Sequence, residues 1–166
     1  MTASGPVVVG VLAGERHDPV VVRAAEFARR FDAALVVATV DPARYAVDEH
    51  PDGSVRSASV DPDLPDEREE TPDAAYAEHV RELAGGVDAE ARALVGEPAH
   101  ALARLAERLG AQMIVVGTRE RSVLASVQRF FAGSVGARLA HVQPLPVVVI
   151  PLDPAGDGER LPWDEG

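Results

Sequence analysis

The chain has 166 residues, a length that suits one domain built on one core. Hydrophobic residues make up 46% and charged residues 26%, an ordinary globular balance, and no apolar run approaches the ~20 residues of a membrane span. The formal charge is −11, with no cysteine and no lysine, which excludes a disulfide framework, thiol chemistry and any Walker A loop.

The acid is unevenly spread. Residues 41–73 hold eleven acids against three arginines, and residues 152–166 hold five against one. The remainder is nearly neutral, so two polar segments carry the charge and no basic face marks a nucleic-acid surface. The start, Met1-Thr2-Ala3-Ser4-Gly5-Pro6, lacks the basic residues of a signal peptide, and a cytoplasmic location is expected.

Val7-Val8-Val9-Gly10-Val11-Leu12 is a short, β-branched apolar run and reads as a strand buried on both faces. Pro19 suits the first turn of a helix, in which Val20, Ala24, Phe27 and Phe31 recur on one face. Ala34 to Val40 is a second buried strand. Residues 41–72 carry five prolines, many acids and the turn signal Pro51-Asp52-Gly53, with no sustained periodicity. They read as a solvated insertion, linker or lid, uncommitted to the core and open to a protein partner. A helix over about 73–84 ends near Gly85-Gly86, and Ala89 to Val95 is a weaker third strand.

Gly96-Glu97-Pro98 opens a helix whose apolar face is Leu102, Leu105, Ala106 and Leu109, closed by Gly110. Gln112 to Val116 is the fourth strand. Residues 118–132 form a basic connection, Ser134 to His141 a short helix, and Pro146 to Ile150 the fifth strand. An acidic tail, read as disordered, follows Pro151. Strands alternating with helices predict an α/β fold: a five-stranded, Rossmann-like parallel sheet sandwiched by helices. Ligands on such sheets lie beyond the carboxyl ends of the strands, so the candidate positions follow Leu12, Val40 and Val116.

One segment carries the chemistry. The fourth strand runs into Gly117-Thr118-Arg119, and Gly133-Ser134 then opens the last helix. Glycine lets a phosphate approach the backbone, a helix N-terminus offers free N–H groups, and Ser134 adds a hydroxyl. Arg119, Arg121, Arg129 and Arg138 stand here against the single acid Glu120. The plain alternative is two turn glycines, a helix cap and surface charge. The five histidines show no ligand spacing, and Ala132-Gly133-Ser134-Val135-Gly136 is not a nucleophile elbow, so neither metal site nor enzyme is expected.

In these motifs the chain resembles the universal stress proteins. The resemblance rests on Val115-Val116-Gly117-Thr118-Arg119, on Gly133-Ser134-Val135, and on Pro144 to Pro151. Gly96-Glu97-Pro98 and Leu109-Gly110-Ala111 add to it, and it spans roughly residues 6–151 apart from the insertion. It implies the adenine-nucleotide α-hydrolase-like version of the fold, and ATP or a related adenine nucleotide as ligand, with Mg²⁺ only if ATP binds. It puts Gly117, Arg119, Gly133, Ser134 and Val135 on phosphate and ribose positions. Gly10, Leu12, Val40 and Val116 fall on positions lining the base. It also implies a homodimer through the last strand, Val147 to Ile150, an apolar edge if unpaired.

Three departures stand out. The motif's second glycine falls on Glu120, twelve residues (121–132) replace nine, and Leu12 stands where the nucleotide-binding branch has an aspartate. The competing expectation is therefore a dimeric scaffold that has lost nucleotide binding.

Overall fold

The computed structural model describes residues 4–14, 17–64, 66–118 and 129–152, and of residues 129–134 the backbone only. Arg119, Glu120, Arg121 and the acidic tail from residue 153 lie outside the described residues.

The strands β1 (Val7–Leu12), β2 (Leu35–Asp41), β6 (Ala89–Val95), β7 (Met113–Gly117) and β8 (Val147–Ile150) form one parallel sheet in the order β6-β2-β1-β7-β8. The helices are α1 (Asp18–Arg30), α2 (Ala74–Ala84), α3 (Pro98–Leu109) and α4 (Arg129–Val142). All five expected strands are present, and β1 is a continuous apolar run because both of its faces are covered. Val7, Val9 and Val11 pack with α1 and α2, while Val8 packs with Leu102, Leu105 and Leu139 from α3 and α4. Two apolar cores therefore lie on opposite faces of one sheet. β6 and β8 are the outer strands, and among the described residues no strand pairs with the outer side of the apolar β8, where Val149 is 49% exposed.

Local chemistry sets the helix ends. Asp73 caps α2 by accepting from the Tyr76 amide at 2.8 Å, and Gly85 ends that helix in the left-handed region at φ 56°. Gly110 does the same for α3 at φ 58°.

The expectation of a structureless segment over residues 41–72 is corrected. β3 (Arg44–Glu49), β4 (Val55–Ser59) and β5 (Arg68–Glu70) form a three-stranded antiparallel sheet in the order β3-β4-β5. Its buried positions mix Val55 with Arg44 and Ser57, which hid the alternation from sequence. Arg44, only 6% exposed, donates from Nε to Ser57 Oγ at 2.7 Å and from Nη2 to the Asp66 carbonyl at 2.7 Å. It also pairs with Glu70 at 2.9 Å and with the Asp66 carboxylate at 3.0 Å. Burial alone would raise the Glu70 pKa, but the Ser57 hydroxyl and the guanidiniums of Arg68 and Arg44 hold it below the usual carboxylate range. An arginine, a serine and a glutamate thus occupy positions where valines would have announced a strand.

Candidate functional site

The chain leaves β1 for β2 on one side and later returns on the other side as β7. The strand order therefore reverses between β1 and β7, where sheets of this kind open a crevice at their carboxyl ends. A cleft lies there. Its floor is Gly10 and Leu12 from β1, Val40 from β2, and Val116 and Gly117 from β7. Pro98 and Leu102 of α3 and Val135 of α4 wall it, and His17 and Thr118 complete the rim. The open space is about 50 Å³, well below the ~300–1,000 Å³ of whole ligand pockets. The described residues thus form a narrow, largely apolar slot.

Six of the expected site residues come together here: Gly10, Leu12, Val40, Val116, Gly117 and Val135. Arg119 lies outside the described residues. Gly133 and Ser134 do not open the last helix, because α4 is already helical from Arg129, four residues ahead of Gly133. At that depth an amide belongs to the intrahelical ladder, so the expectation of free N–H groups at Gly133-Ser134 is corrected. No proline interrupts Arg129 to Ala132, so nothing in the chain forces a later start. Pro98, Leu102, His17 and Thr118 carry no sequence signal for the site. Leu102 reads as a core position of its helix, and its spacing says nothing of the cleft.

The two cleft glycines serve opposite faces. A Cβ on Gly10 would sit 2.4 Å from Leu102 Cδ1, on the side of α3. A Cβ on Gly117 would sit 2.8 Å from Val20 Cγ2 and 3.0 Å from Leu152 Cδ1, on the side of α1. Gly10 therefore lets α3 settle onto the slot, while Gly117 lets α1 and the chain after β8 close from behind. Thr118 ties that chain down: its amide donates to the Ile150 carbonyl at 2.8 Å, and its Oγ1 accepts from the Leu152 amide at 2.9 Å.

The N-terminus of α3 points toward the same end of the sheet, and its donors are already used. Glu97 accepts from the amides of Ala99 at 3.2 Å and His100 at 2.9 Å, and its other close partner is the His100 ring at 2.6 Å. Arg138 of α4 stands 3.6 Å away. Burial would raise the Glu97 pKa, but the amide and imidazole of His100, the Ala99 amide and Arg138 together leave it depressed. A carboxylate of the protein thus already fills the place an anion would take at this helix end.

A family model described as the universal stress protein family matches residues 4–151. The chain belongs to the universal stress protein family. A universal stress protein solved in complex with cAMP is 26% identical, with a TM-score of 0.59, over 92% of this chain and 100% of that one. A universal stress protein from Archaeoglobus fulgidus is 20% identical, with a TM-score of 0.55, over 89% of this chain and 94% of that one. Another from Archaeoglobus fulgidus, in complex with dAMP, is 22% identical, with a TM-score of 0.54, over 90% and 99% respectively. At those last two identities the likeness concerns the fold. No curated protein sequence matches the chain.

Proposed function

We propose that this universal stress protein acts in stress response by binding ATP or a related adenine nucleotide in the cleft between β1 and β7, as a binding protein and not as an enzyme. The observation that carries the reading is the convergence of Gly10, Leu12, Val40, Val116, Gly117 and Val135 on one slot at the strand-order reversal. The slot is apolar and narrow, which suits a flat base. Leu12, Val40, Leu102, Val116 and Val135 would press on its faces, and Gly10 lets the backbone come close. The cAMP complex of a 26% identical family member supports an adenine ligand. On the family resemblance, Arg119, Gly133 and Ser134 would meet the ribose and phosphate, and Mg²⁺ would accompany ATP alone. The protein would work as a cytoplasmic homodimer joined along β8. Among the described residues no helix is long and apolar enough to cross a membrane.

Two observations favour a second reading, a dimeric scaffold that binds no nucleotide. Gly133 and Ser134 sit inside α4, and Glu97 closes the N-terminus of α3 against anions.

Calorimetric titration with ATP·Mg²⁺ and with AMP decides between them, beside Val135→Phe, which fills the slot. Saturable binding that Val135→Phe abolishes supports the nucleotide reading. Absence of heat with either ligand, in protein stripped of any co-purified nucleotide, supports the scaffold.

A further inference from the structure

The acidic insertion touches the cleft's far wall without reaching the cleft. Glu49, at the end of β3, is 21% exposed and receives two arginines of α3: Arg104 Nη2 at 2.6 Å, and Arg108 through its own Nη2. Beneath these pairs runs a seam lined by Ala46 and Val55 of the insertion, Leu94 of β6 and Ala101 and Leu105 of α3. The seam leaves only about 20 Å³ of open space. Farther along, Arg92 of β6 donates to the Asp52 carbonyl at 3.2 Å, which holds the tip of the β3-β4 hairpin against the outer strand of the main sheet.

The helix gripped in this way is the one that shapes the slot. Leu102 lies between Ala101 and Leu105 in sequence, and its methyls fill the space in front of Gly10. Pro98, at the start of the same helix, also lines the slot. α3 is therefore held from two sides, by β1 through Gly10 and by the insertion through Glu49. A 12-residue helix moves as a rigid rod, so a shift at Arg104 and Arg108 is felt at Leu102.

We infer that the insertion is a buttress for α3, and that Glu49 is a positioning residue that sets how far Leu102 reaches into the cleft. The consequence for affinity rests on the nucleotide reading, whereas the positioning of Leu102 does not. Exposed ion pairs are individually weak, but here two converge on one largely shielded carboxylate above a narrow seam.

The test uses the full chain and reads the Leu102 methyl and Gly10 amide resonances, which report the slot with or without ligand. Glu49→Arg places like charge against Arg104 and Arg108 and is expected to move both resonances. It should also weaken AMP binding about two- to five-fold by lowering the binding-competent fraction. Charge reversal of the partners, Glu49→Arg with Arg104→Glu and Arg108→Glu, is expected to return resonances and affinity toward the wild type. The milder Glu49→Gln should produce the same resonance shifts in smaller measure. Unmoved Leu102 and Gly10 resonances in Glu49→Arg, or no recovery on charge reversal, would overturn the inference. If the wild type binds no AMP, the nucleotide reading fails while the resonances still decide the buttress.

Discussion

Replacing Gly10 by alanine is the sharpest perturbation of the slot. The new Cβ would lie 2.4 Å from Leu102 Cδ1, 3.1 Å from its Cδ2 and 3.3 Å from its Cγ. Contact carbons need about 3.5–4.0 Å, so Leu102 must retreat by an ångström or more. Leu102 is otherwise enclosed, and the open volume beside it is the slot itself, about 50 Å³. Overpacking of a closed core costs roughly 1–3 kcal/mol, and an adjacent void places this site near the lower end, about 1 kcal/mol. For a chain of this size, that is a fall of about 2–4 °C in Tm. The larger effect is on the ligand, because Leu102 relaxes into the space a base would fill. Leu102→Ala alone should cost about 2–5 kcal/mol through the cavity it leaves. In the double variant the Gly10→Ala penalty should vanish, since the two atoms that collide are no longer both present. Urea denaturation and AMP titration of the two single variants and the double variant read this cycle. Additive stabilities, or a Gly10→Ala protein with unchanged Tm and unchanged AMP affinity, would refute the reasoning.

Other outcomes are equally concrete. Arg44→Ala removes one buried partner of Glu70 and Ser57 while Arg68 still pairs with Glu70, and should cost about 1–3 kcal/mol locally, seen as early loss of amide protection in β3, β4 and β5. The folded pKa of Glu97 is depressed, so its stabilising contribution is full above about pH 4.3, its unfolded value, and is lost as pH falls through the folded pKa. Glu97→Gln should therefore flatten the acid limb of the stability curve and leave neutral pH less affected; an unchanged acid limb would speak against the cap. Val149→Arg puts a charge on the free apolar edge of β8 and should turn a dimer into a monomer in analytical ultracentrifugation. A wild type that is already monomeric would place the dimer reading in error. Deleting residues 48–70 opens the cavity lined by Val55, Leu94 and Leu105 to solvent and removes Glu49, so loss of several degrees in Tm is expected by thermal denaturation.

The sequence by itself determined the layered α/β architecture, and the reason is burial. A parallel sheet covered on both faces leaves runs such as Val7 to Leu12 and Met113 to Val116 with no polar face, and few other folds produce such runs between amphipathic helices. Strand-end reasoning also pointed to the positions that follow Leu12, Val40 and Val116, because ligands on such sheets lie beyond the strand ends, while Gly10 came from the family resemblance. What only the tertiary structure decided involves polar groups satisfied at long range. The insertion folds because Arg44 finds Ser57, Asp66 and Glu70, partners 13 to 26 positions away that no local period encodes. α4 is already helical at Arg129, ahead of the Gly-Ser pair, which local capping chemistry alone could not show. Leu102's place in the cleft arises from the packing of α3 across Gly10, a contact 92 residues apart in the chain. Periodicity reports which face of an element is buried; the structure reports what it is buried against.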